Sequence, residues 1–181
     1  LGSIFYKNKF NLDANKLILK ELEDGKKIED ILLSQDISGQ FALIVNFKNN
    51  LFLCTDKLGY LSIYIYNKNN TIAVSNSFLL LAKNNKSTLN NIGISQYLSE
   101  NYRYITYACC NENITNEIKY AEAGTIYNLK DNNLDKKKYF NIKNHIEFGK
   151  YDNFDQIVEM GTELLKQNIQ KLSNLNVRSD I

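Results

Sequence analysis

Apolar and polar residues recur along this chain with two different periods, and the switches between them mark its elements. Leu17, Ile18 and Leu22 repeat at helical spacing behind Asp13, which stands where an N-cap belongs, and Gly25 stands where such a helix stops. The spacing predicts a helix over 14–23, and a shorter amphipathic segment follows over 27–33. Four runs rich in β-branched and aromatic residues come next, at 41–47, 51–55, 61–66 and 71–74. Their separators, Asn49-Asn50, Asp56 to Gly59 and Asn67 to Asn70, are turn formers, so the simplest topology is an antiparallel meander.

Ser75-Asn76-Ser77 reads as a helix N-terminus ahead of Phe78 to Leu81, and 89–100 is helical in pattern. The aromatic stretch 102–110 has neither period and receives no assignment. Ala123 to Leu129 predicts a strand, followed by a charged turn and Tyr139-Phe140. Last comes a long helix capped by Asp152, with Phe154, Ile157, Val158, Leu164, Leu165, Ile169 and Leu172 on one stripe. An apolar face of that length is costly in water, which predicts that a neighbouring domain or chain covers it. Val177 to Ile181 has the look of a new strand beginning. There are no internal repeats and no Ser/Gly-rich linker.

Composition narrows the function classes. The 181 residues, 44% of them hydrophobic and 23% charged, suit one domain and part of a second. A net charge of +2 gives no footprint for nucleic acid, and Lys136-Lys137-Lys138, the one tight basic run, reads as a solvated loop. No apolar stretch approaches the roughly 20 residues of a membrane span. Leu1 to Tyr6 has no basic n-region or cleavage site and no initiator Met, which points to a cytoplasmic chain that begins inside a longer polypeptide. Cys54, Cys109 and Cys110 make no disulfide framework and, with His145 as the sole histidine, no zinc site, so no metal is expected. Cys109-Cys110 has no basic neighbour in sequence to lower a thiol pKa, and His145 has no nucleophile or acid at a recognisable spacing. About one residue in seven is Asn and none is Pro, a bias of composition with no chemistry attached.

One stretch carries more than periodicity. Ser38-Gly39-Gln40-Phe41-Ala42 opens a strand, and Cys54-Thr55-Asp56-Lys57-Leu58-Gly59 turns out of the next one into Leu61-Ser62-Ile63-Tyr64-Ile65-Tyr66. This resembles the glutamine-amidotransferase-type N-terminal domain of the asparagine synthetase family, which writes the stretch as Gly-x-Phe-Ala … Arg-Asp-x-x-Gly-x-x-Pro-Leu-Tyr-Tyr. The likeness covers nearly the whole chain. Thr71 to Leu81 resembles the family's apolar strand, Ser-Ser-Glu and Leu-rich helix. Ile118 to Leu129 resembles its Ile-x-x-Leu-x-Pro-Gly stretch with Ala123 in place of Pro, and Tyr139-Phe140 its Tyr-Trp.

The resemblance implies an α+β fold of two packed antiparallel sheets flanked by helices, the sandwich of N-terminal nucleophile amidotransferases. It implies an amidotransferase-like domain over 1–150, lacking its first strands, and over 151–181 a helix leading into an ATP-binding synthetase domain. In the family an N-terminal Cys attacks glutamine, and no cysteine here holds a comparable place, so no catalytic residue is assigned. Leu1-Gly2-Ser3 aligns with Asn-Gly-Glu of the oxyanion hole, so Gly2 keeps its match while Leu1 and Ser3 depart. Asp13 falls on the Asp that holds the glutamine amino group, beside its other reading as a helix cap. Asp56 and Gly59 are read as a structural turn, a carboxylate accepting backbone N–H groups beside a glycine of positive φ; the other reading puts Asp56 near a ligand. The implied parent is an amide-forming ligase that uses ATP and Mg on a small-molecule or peptide carboxylate, with the synthetase domain and a second copy as partners. Silent domains of this kind occur in β-lactam synthetases and lasso-peptide cyclases. The rival expectation is a stand-alone binding module on the same scaffold.

Overall fold

A computed structural model describes residues 1–48, 50–98, 113–130, 133–144 and 153–173. Those residues form an α+β fold with two antiparallel sheets and five α-helices. The chain divides into two compact units, Leu1–Gly2 with Gln40–Phe140 and Ser3–Gly39 with Asn141–Ile181. These units group strands that pair across long stretches of chain.

In the first unit, β3 (Ile37–Phe47, which enters from the other unit at Gln40) pairs with β4 (Asn50–Thr55) as a hairpin, Val45 opposite Phe52. Strand β4 pairs onward with β8 (Thr125–Lys130), Leu53 opposite Tyr127, and β8 with the edge strand β9 (Asn133–Lys138). The second sheet has the order β6-β5-β7, from β5 (Tyr64–Lys68), β6 (Thr71–Ser75) and β7 (Ile118–Tyr120). Strand periodicity sorts its side chains between two faces. Ile65, with Ile72 and Val74, packs against Ala42, Leu53 and Tyr127 of the first sheet, so the sheets lie face to face over one core. Tyr66, one position on, turns the other way to meet Leu81 of α3 (Phe78–Asn84) together with Ile118. Ser77 caps α3 by accepting from the Leu80 amide. Helix α4 (Asn91–Leu98) follows, and Gly93 admits its backbone to close approach with the Asn113 carbonyl.

The second unit holds β1 (Gly2–Tyr6, from Ser3 on), β2 (Lys9–Phe10), α1 (Asn11–Glu23), α2 (Ile28–Leu33) and α5 (Phe154–Ser173). Strands β1 and β2 form a tight hairpin with Phe5 opposite Phe10. Ala14, Ile18 and Leu22 of α1 and Ile31 and Leu32 of α2 are buried. Gly25 ends α1 with φ +94°, its amide bonded to Leu22 O and that of Lys26 to Glu21 O, the double closure that a left-handed residue permits. The carboxylate of Glu21 accepts from Tyr6 Oη at 2.6 Å and Lys26 Nζ at 2.9 Å, and pairs with Lys7 as well. Every side chain described on α5 is exposed, Phe154 at 76% and Leu165 at 64% included. Asn153 Oδ1 accepts from the Asp155 amide at the start of α5, while the expected cap Asp152 lies outside the described residues.

Several expectations change. The meander fails: β3 and β4 belong to one sheet, β5 and β6 to the other, and the chain crosses between them after Asp56. The third strand spans 64–68 instead of 61–66, because Leu61 to Ile63 are spent on that crossing; the Leu61 amide bonds Asp56 and the Ile63 carbonyl bonds Ala121. Asp13 is not a cap. Phe10 holds that position, and Asp13 stands in the first turn, where its charge still complements the helix dipole. Lys136-Lys137-Lys138 is strand, not loop, since β9 draws its stability from the ladder to β8 and its lysines suit an exposed edge.

Candidate functional site

The turn from Asp56 to Gly59 is where the sequence concentrates its chemistry. Strand β4 delivers Asp56 to the end of the first sheet, where its side chain is buried, with 1% of the residue exposed. Its Oδ1 accepts from the amides of Gly59 at 2.7 Å, Leu58 at 3.0 Å and Tyr60 at 3.3 Å, and Oδ2 accepts from Leu61 at 3.4 Å. A carboxylate with both oxygens given to main-chain donors is a brace for the loop. Gly59 takes φ +68°, and a methyl there would lie 2.9 Å from Ala123 Cβ. Conformation and space therefore both demand glycine.

The brace extends into the strands beside it. The Gly124 amide donates to Asp56 O at 2.8 Å, and Gly124 is itself left-handed at φ +59°. Thr55 Oγ1 donates to Glu122 O at 2.6 Å and accepts from the Thr125 amide at 3.1 Å. Tyr139 Oη donates to Thr55 O at 2.7 Å. Burial, with Cys54 and Asp56 nearby, pushes the Tyr139 phenol above its usual pKa, so it stays a neutral donor. Lys57 lies over the Phe140 ring at 5.8 Å, and burial lowers its ammonium pKa. The sequence singled out Asp56 and Gly59. It matched Tyr139 to the family's Tyr-Trp but gave no sign of its bond to Thr55, 84 residues away.

The residues aligned with glutamine binding are each explained locally. Gly2, in the first unit, has φ +83°, and any side chain there would collide with the Gln40 carbonyl; the Leu1 main chain pairs on both sides with Ala42. Asp13, in the second unit, is exposed, with Lys16 Nζ at 3.9 Å as its partner. Burial pushes the Cys54 thiol up to about 12, which removes its thiolate at neutral pH. Cys109, Cys110 and His145 lie outside the described residues.

No family model and no curated protein matches this chain.

Two cavities lie among the described residues of the first unit. One, of about 270 Å³, is lined by Tyr120, Tyr127, Glu117, Glu122 and Lys136 among others. Its carboxylates are engaged, Glu122 with Lys136 at 2.6 Å and Glu117 with Lys68 at 2.7 Å. The other, of about 230 Å³, lies beside the register partners Tyr64 and Tyr120, with ring centroids 4.7 Å apart, and Phe78. Asn113 lines it too, and its Nδ2 is buried without a hydrogen-bond partner. Among the described residues no cluster of His, Cys, Asp and Glu could hold a metal ion, and no helix is long and apolar enough to cross a membrane. The described side chains around the Asp56 turn form a braced scaffold.

Proposed function

We propose that this chain is a degenerate, non-catalytic amidotransferase-like domain of an ATP-dependent, amide-forming ligase of the asparagine synthetase type. The observation that carries the reading is the Asp56–Gly59 turn and what it joins. A hairpin of one sheet ends in a buried carboxylate that holds four amides, and the chain then crosses to a second sheet packed on the first. That order matches Gly-x-Phe-Ala … Asp-x-x-Gly in the family, and the face-to-face sheets suit an N-terminal nucleophile sandwich.

The degenerate half of the reading rests on the chemistry that glutamine hydrolysis requires. A thiolate must attack the amide, and donors must hold the resulting oxyanion. Cys54 is buried and protonated. Leu1 supplies no side-chain donor where the family has Asn, and Ser3 stands where it has Glu. A domain so altered fits a parent whose amine is already part of the substrate, which needs no ammonia from glutamine. ATP in the parent would activate the carboxylate as an acyl-adenylate with release of pyrophosphate, and amine attack on the acyl carbon would form the amide and expel AMP. In this reading the parent is cytoplasmic, its synthetase domain is the chain's main partner, and a small molecule or peptide supplies the carboxylate.

The test is the intact mass of the protein from its native source, with the peptides at both ends sequenced. The proposal expects a mass well above 20.9 kDa and, soon after Ile181, Ser-Gly-Gly-x-Asp-Ser, the loop with which the family holds the pyrophosphate of ATP. A native polypeptide ending near Ile181, with no such loop, overturns the ligase and leaves a binding module on this scaffold.

A further inference from the structure

We draw no further inference here: the strongest candidate, the exposed apolar stripe of α5 from Phe154 to Ile169, is an unpartnered helix face, and nothing in the structure shows what covers it.

Discussion

Replacing Asp56 by Ala tests whether its carboxylate is a brace. The substitution strips the acceptor from four main-chain amides at once. Leu58 and Tyr60 are 50% and 63% exposed, so water can reach that part of the loop and take over much of the lost bonding. Gly59 and Leu61 are half-buried and recover less. An unsatisfied buried donor costs about 1–3 kcal/mol, which puts Asp56→Ala at about 2–5 kcal/mol. Against a total stability of roughly 5–15 kcal/mol this is a large loss. Asp56→Asn keeps an oxygen for the three amides on Oδ1 and sets an NH₂ group against the weaker contact from Leu61, so its cost is about 1–2 kcal/mol. Urea unfolding of the two variants, compared at equal m-value, reads both numbers. An Ala variant within about 0.5 kcal/mol of the parent would refute the brace. An Asn variant as costly as Ala would show that charge, and not acceptor capacity, matters at this position.

Glycines at left-handed positions separate conformational strain from crowding. Gly25→Ala meets open space and costs about 1 kcal/mol, whereas Gly59→Ala meets Ala123 as well and costs at least twice that; equal losses in thermal unfolding would contradict the geometry. Native Cys54 resists a thiol reagent such as iodoacetamide at pH 8 and reacts once urea unfolds the chain; labelling of the folded state at the rate of free cysteine would mean that the thiol is not buried as described. Burial would raise the pKa of Glu21, but hydrogen bonds from Lys7, Tyr6 and Lys26 outweigh it and hold the carboxyl at about 2; the Lys68 hydrogen bond is the main cause of a similar depression at Glu117. Both folded values lie below the ordinary 4.5, so their stabilisation is full above pH 4.5 and fades as pH falls towards 2. Glu21→Gln should therefore flatten the acid limb of the stability profile, and an unchanged slope would show that the cluster is too well solvated to matter.

The sequence made some of this architecture legible and hid the rest for physical reasons. The β3–β4 hairpin, α1 and α3 could be read because one face of each is apolar at the right period and each is bounded by Asn, Gly or Ser. Strand β9 was hidden because Asn-Leu-Asp-Lys-Lys-Lys has almost no strand propensity, and only the ladder to β8 makes it a strand. Strand β1 was hidden behind Gly2 and Ser3, although Ile4 and Tyr6 alternate inward as strand residues should. Most telling is the crossing at Leu61 to Ile63. These residues are apolar like the strand that follows, and no local pattern could say that they would change sheets. At the site, Asp56 and Gly59 could be read as a turn because the mechanism is local. Thr55, Thr125 and Tyr139 could not, since their bonds join residues 67 to 84 positions apart.

Glutamine hydrolysis by the protein purified from its native source tests most directly the claim that this amidotransferase-like scaffold has lost its chemistry. With saturating glutamine and no other nitrogen donor, the account predicts glutamate release no greater than the protein-free blank. Steady release that a thiol-alkylating reagent abolishes would reveal a working cysteine nucleophile and contradict the account.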